Sequence, residues 1–118
     1  MKGHSSEFVF DKVFDAEARQ ESVFADVGVP LVEHVIQGYN ACCFAYGQTG
    51  AGKTHSMYGR EGCSVFAQPG TPEHGDLGVI PRACELLWKA ASQVNRKAEA
   101  AAATGGGNSA PRIKLFVR

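Results

Sequence analysis

The stretch Gly47-Gln48-Thr49-Gly50-Ala51-Gly52-Lys53-Thr54 decides how this chain is read. It satisfies G-x-x-x-x-G-K-[ST] at every fixed position, and each fixed position has a physical task. Glycines at 47, 50 and 52 let the backbone wrap close to phosphate oxygens and turn several N–H groups inward, because no Cβ obstructs the approach. A helix opening near Lys53 adds N–H groups without intrahelical partners and the positive end of its dipole. Lys53 extends an ammonium toward the β- and γ-phosphates, and Thr54 offers a hydroxyl to Mg²⁺. The bland alternative is a glycine-rich turn before a helix. The flanking sequence favours the phosphate cradle, because the loop sits between an apolar run and a helix start.

That apolar run is Ala41-Cys42-Cys43-Phe44-Ala45-Tyr46. It is too short for a helix, and its place before the loop predicts a strand buried on both faces. A helix is predicted from Lys53 to about Tyr58. Upstream, Val23, Phe24, Val27, Leu31, Val35 and Ile36 recur at offsets of three and four, which predicts a helix over Gln20–Gln37. Pro30 lacks an N–H and should kink or divide it, Gly28 easing the bend, and Gly38 is a natural stop. Phe8–Phe14, rich in Phe and Val, reads as a short strand or a strand with a turn.

Downstream, residues 59–78 carry five glycines with Pro69 and Pro72, the composition of an exposed loop. A second helix begins near Pro81 with Ile80, Cys84, Leu87, Ala91 and Val94 on its inner face. The alanine-rich tract Ala98–Ala103 extends that helix or opens an Ala/Gly-rich linker over 98–110, with Thr104–Ser109 a flexible Gly/Ser stretch. Arg112–Arg118 alternates as a half-buried strand does. The resulting order of strands and helices is α/β without internal repeats. It predicts an incomplete P-loop NTPase fold, a central mixed β-sheet flanked by helices.

A chain of 118 residues suits one domain, and 12 Lys plus Arg balance 12 Asp plus Glu. No basic excess points to a nucleic-acid partner. No run approaches the roughly 20 apolar residues of a membrane span, and Met1–Phe10 has no apolar core of signal-peptide length. A soluble, intracellular protein is expected. Cys42 and Cys43 would face opposite sides of a strand, and Cys63 and Cys84 stand at no zinc-like spacing. Four reduced thiols are expected, at least two filling core, and no metal other than the nucleotide's Mg²⁺. Tyr39 and Tyr46 are expected to pack in the core with bonded hydroxyls, and Trp88 to pack rather than touch ligand. Arg96 and Lys97 read as a solvated helix end. Arg112, Lys114 and Arg118 form either a small basic patch or charges that guard a sheet edge. His4, His34 and His74 are expected to be solvated. For His55, the residue's position leaves two readings open: a ring against the nucleotide base, or a surface residue on the helix's first turn.

Beyond a generic P-loop, Gly38-Tyr39-Asn40 and Phe44-Ala45-Tyr46-Gly47-Gln48-Thr49-Gly50-Ala51-Gly52-Lys53-Thr54-His55-Ser56-Met57-Tyr58-Gly59 closely resemble the kinesin motor domain. Phe10-Asp11-Lys12-Val13-Phe14 resembles the family's F-D-x-V-F, and Gly78-Val79-Ile80-Pro81-Arg82-Ala83 its G-I-I-P-R-A. Myosins carry Glu-Ser where Gln48 and Thr49 stand. The resemblance covers about Phe8 to Trp88. It implies ATP with Mg²⁺ at Gly47, Gln48, Thr49, Gly50, Ala51, Gly52, Lys53 and Thr54, the Thr54 hydroxyl on the metal, and His55 packed against the base. It makes residues 59–77 a loop that interrupts the family's second helix, and Ile113–Val117 the strand that follows, with Arg118 where serine is usual.

The resemblance implies a microtubule (tubulin) partner for the full motor, a cytoplasmic and cytoskeletal location, and dimerisation only through regions other than these residues. The family's R-x-R-P strand does not occur in Met1–Glu7, and neither N-x-x-S-S-R-S-H nor D-x-A-G-x-E occurs downstream. No apolar run after the P-loop ends in an acidic residue to steady Mg²⁺. Phe8-Val9-Phe10-Asp11 has that shape but lies upstream, where a plain strand end accounts for it. No catalytic residue is therefore assigned, and binding is expected without turnover. Two other readings are a non-catalytic nucleotide-binding or interaction module and an unrelated small P-loop kinase. The latter needs an acceptor site and a lid that the sequence does not display.

Overall fold

Apolar residues at offsets of three and four build the first helical rod. The computed structural model describes residues 7–63, 67–103 and 113–114. In it α1 (Gln20–Val23) passes through a π-helical turn (Phe24–Gly28) into α2 (Val29–Ile36). The π turn is the form the expected disturbance takes, since Pro30 has no N–H for the preceding turn and the ladder loosens just upstream. Gly28 is buried, and a Cβ there would collide with the Phe24 ring. Gly38 ends the rod as expected, with φ 94°. Its N–H reaches the Val35 carbonyl at 3.0 Å, and that of Tyr39 reaches His34 at 3.0 Å. That pair of bonds is a Schellman stop. The Tyr39 ring then meets His34 edge-on at 5.6 Å.

Two further helices flank the glycine-rich excursion: α3 (Lys53–Tyr58) before it and, beyond the short α4 (Pro72–Gly75), the long α5 (Val79–Ala103). The excursion has a closed mouth. Gly59 pairs with Leu77 in an isolated antiparallel bridge. Around it the Arg60 N–H donates to the Asp76 carbonyl at 3.2 Å and the Gly78 N–H to that of Tyr58 at 3.1 Å. Gly59 has φ 111°, and a Cβ on it would strike the Asp76 carbonyl. Thr71 caps α4 by accepting from the His74 N–H at 3.3 Å, with Pro72 next, where a missing N–H costs nothing.

Arg82 locks this closure. It is 7% exposed, and its Nε donates to the Leu77 carbonyl at 2.8 Å. Its Nη2 donates to the carbonyls of His74 at 2.9 Å and Gly75 at 3.0 Å. The last carbonyls of a helix lack intrahelical donors, so a cation there satisfies them and meets the negative end of the dipole. His74, expected to be solvated, is instead half-buried, 3.0 Å from the Glu85 carboxylate on α5. Lys89, one turn further along α5, bonds the other oxygen of Glu85. The buried apolar side chains are Val32, Leu77, Val79, Ala91 and Ala98, where α2 and the excursion's end meet α5. Farther along α5, the Asn95 amide donates to the Ile113 carbonyl at 3.0 Å and accepts from the Ile113 N–H at 2.9 Å. Ile113 there joins Val35, Ile36, Leu87 and Ala91 around an apolar pocket.

The expected central mixed sheet is absent: the described residues form helices, and their one β contact is the Gly59–Leu77 bridge. Phe8–Phe14 and Ala41–Tyr46 form no strand. Of Arg112–Arg118, only 113–114 fall among the described residues, and they are not strand. The reason is pairing. An isolated strand leaves its N–H and C=O groups without partners, and two or three neighbours with an apolar face are needed for stability. No described segment offers 41–46 such a neighbour. Phe44 is consequently 81% and Tyr46 95% exposed, and Cys42 and Cys43 are exposed rather than core. Tyr39 and Trp88 are exposed too. On α5, Ala91 is buried, Ile80, Leu87 and Val94 are half-buried, and Cys84 is exposed. A radius of gyration of 19.0 Å, against about 13–14 Å for a compact domain of this length, reflects the open arrangement.

Two outcomes follow from the closure. Arg82→Met removes the guanidinium from three carbonyls at the end of the excursion, of which that of His74 keeps the Leu77 N–H, and should cost about 2 kcal/mol of local stability. Faster amide exchange over residues 72–78 would register it, and unchanged exchange would contradict the role. The second concerns pH. Hydrogen bonds from Lys89 first, and from His74, hold the Glu85 carboxyl below its ordinary 4.5. A depressed carboxylate contributes stability above its unfolded value and loses it as pH falls through the folded one. Protection factors over 72–78, taken against the intrinsic exchange rate at each pH, should therefore fall as pH drops below 4.5, with Glu85→Gln removing part of that fall.

Candidate nucleotide-binding site

The P-loop begins where the unpaired segment 41–46 ends. Gly50 and Gly52 take left-handed backbone angles, φ 81° and 86°. A Cβ at either would meet nothing within 4 Å, so glycine is required here by conformation and not by crowding. Through Thr49 and Gly50 the chain turns tightly, the Ala51 N–H donating to the Gln48 carbonyl at 3.2 Å. Gly52 leads directly into α3, which starts at Lys53 as the sequence predicts. The Lys53 ammonium folds back over the loop and donates to the carbonyls of Gly47 at 2.8 Å and Gln48 at 2.7 Å. One cation thus lies against the loop, tethered only by neutral acceptors.

Gly47, Gln48, Thr49, Gly50, Ala51 and Gly52 are all exposed, as are Thr54 and His55, while Lys53 is half-buried. The structure therefore brings the expected residues together as one solvent-facing turn and the first turn of α3. The Thr54 hydroxyl makes no hydrogen bond among the described residues, which leaves its oxygen available to a cation. No group of three or more His, Cys, Asp or Glu able to hold a metal occurs among the described residues. No helix among them is long and apolar enough to cross a membrane.

Two supporting residues were not picked out from the sequence. Gln20, half-buried at the start of α1, donates from its side-chain amide to the His55 carbonyl at 2.7 Å. A polar cleft of about 350 Å³ lies there, walled by Arg19, Gln20, Glu21, His55 and Asp76. Arg82 acts from the other side, fixing the Leu77 end of the bridge that holds Gly59. Neither reach is written in a periodicity: Gln20 crosses to His55, 35 positions on, and Arg82 turns back onto backbone carbonyls at 74, 75 and 77, which carry no side-chain signal. The only sequence signal is the place of Arg82 in the family-like piece Gly78–Ala83.

Comparison with known proteins agrees with the motif. The family model described as the kinesin motor domain matches residues 1–108, and the chain belongs to that family. It is 48% identical over 84 residues to Kinesin-like protein KIN-12E of Arabidopsis thaliana, covering 70% of this chain and 6% of that protein. It is 43% identical over 98 residues to Chromosome-associated kinesin KIF4 of Mus musculus, covering 82% of this chain and 7% of the relative. With Kinesin-like protein Klp61F of Drosophila melanogaster it shares 43% over 84 residues, 71% of this chain and 8% of the relative. The chain thus spans a small fraction of the length of the curated relatives it matches.

The loop's conformational demand is testable by paired substitutions. Gly52→Ala puts a Cβ on a left-handed residue and should lower stability by about 1 kcal/mol. Gly75→Ala, at an ordinary φ with open space around it, should be neutral or stabilise by up to about 1 kcal/mol. Denaturant unfolding of the two variants measures the contrast, and equal effects would contradict it.

Proposed function

We propose that this chain binds ATP with Mg²⁺ through Gly47–Thr54, with His55 beside the base, as the nucleotide-holding portion of a microtubule motor. The observation that carries the reading is the Lys53 ammonium folded over a turn whose Gly50 and Gly52 are left-handed. A phosphate oxygen is a stronger acceptor for an ammonium than a neutral carbonyl, because the bond is charge-assisted on both sides. Lys53 is thus suited to exchange the Gly47 and Gln48 carbonyls for β- and γ-phosphate oxygens. Thr54 offers its exposed hydroxyl to the metal. Mg²⁺, when bound, neutralises charge on the phosphate oxygens.

Kinesin family membership supports a microtubule as the partner of the whole protein, ATP hydrolysis as its chemistry and the cytoskeleton as its place. Within these 118 residues the reading is of binding. No residue here is assigned to position an attacking water, because neither switch motif of the family occurs in the sequence. Residues 59–77 are the family's interrupting loop, closed at its mouth by the Gly59–Leu77 bridge.

Titration calorimetry of the full chain with ATP and Mg²⁺ tests the reading. One site is expected, and Lys53→Ala should weaken it about 10- to 100-fold by removing a charge-assisted contact. Chelating Mg²⁺ should weaken it as well. Affinity unchanged in Lys53→Ala would contradict the assignment.

A further inference from the structure

We propose that Gln20 is a positioning residue for nucleotide binding, acting through the backbone of His55; this rests on the reading of Gly47–Thr54 as the nucleotide site. Helix α3 is only six residues long, and it carries Lys53, Thr54 and His55 on its first turn. Among the described residues, Gln20 is the one side chain outside α3 that hydrogen-bonds to it, at 2.7 Å to the His55 carbonyl. That carbonyl also accepts from the Gly59 N–H at 2.9 Å. The Gln20 amide therefore joins the same node that ends α3 and opens the bridge to Leu77. The next residue, Glu21, places its carboxylate 3.9 Å from Arg82, which holds the other side of that bridge. Consecutive residues at the start of α1 thus reach the P-loop helix and the mouth of the excursion. Helix α3 packs along one side on α5, and a tilt about that contact carries the ammonium, the hydroxyl and the imidazole together.

The test separates this role from simple helix initiation. Gln20→Glu keeps the side chain's length and suits the first turn of a helix, where the dipole favours an anion. Its carboxylate only accepts, however, and faces another acceptor at the His55 carbonyl. Gln20→Lys is the poorer choice for the helix end but keeps a donor. Titration of the full chain with a fluorescent ATP analogue and Mg²⁺ should show Gln20→Glu weakened about five- to tenfold and Gln20→Lys within about twofold of wild type. Equal affinity for wild type and Gln20→Glu, or Gln20→Lys as weak as Gln20→Glu, would overturn the proposal. Amide exchange at Ser56 and Gly59 reports on the contact without nucleotide: faster in Gln20→Glu, restored in Gln20→Lys. If wild type fails to bind the analogue, the nucleotide reading falls and these exchange rates still decide the Gln20 contact. Identical rates in all three proteins would refute it.

Discussion

A buried guanidinium closes the glycine-rich excursion onto the start of α5. Arg82 sits in the first turn of α5, where the helix dipole disfavours a cation. It is stable there because three carbonyls from the end of the excursion converge on it at 2.8–3.0 Å. The His74 carbonyl also accepts from the Leu77 N–H at 3.3 Å, while those of Gly75 and Leu77 rely on the guanidinium, so the arginine and the chain end each resolve the other's electrostatic difficulty. Fixing Leu77 in this way allows its bridge to Gly59, and that bridge sets where α3 stops and α5 starts. The glycines at 59 and 78 permit an approach between backbones too close for a Cβ on either side.

The candidate site inherits its order from that closure. Helix α3 is pinned at its end by Gly59 and on its flank by Gln20, while its start emerges from two left-handed glycines. Lys53 therefore has a fixed base, and its ammonium is held by the neutral carbonyls of Gly47 and Gln48. The segment before the loop is not held in this way. Ala41–Tyr46 has no paired neighbour among the described residues, and its aromatic side chains are exposed.

Much of the local structure was legible because its causes are local. The spacing of Val23, Phe24, Val27, Leu31, Val35 and Ile36 marked the first rod, Gly38 its stop, and Gly52-Lys53 the start of α3. The disturbance expected at Pro30 appears as a π turn one step earlier. The motif residues Gly47–Thr54 were legible together for the same reason, as they are contiguous. The sheet was misread because alternation and apolarity describe what a strand would look like once paired, and pairing depends on a partner elsewhere. His74 was read as solvated, yet the closed excursion brings it to Glu85. The roles of Gln20 and Arg82 were not legible because both side chains bond backbone carbonyls, which no residue type marks: Gln20 that of His55, Arg82 those of His74, Gly75 and Leu77.

The most direct measurement is a crystal structure of the full chain with a non-hydrolysable ATP analogue and Mg²⁺. Lys53 is expected to leave the carbonyls of Gly47 and Gln48 for phosphate oxygens, with the loop around Gly50 and Gly52 keeping its left-handed turns and Thr54 on the metal. Phosphates bound elsewhere, with Lys53 still donating to those two carbonyls, would contradict it.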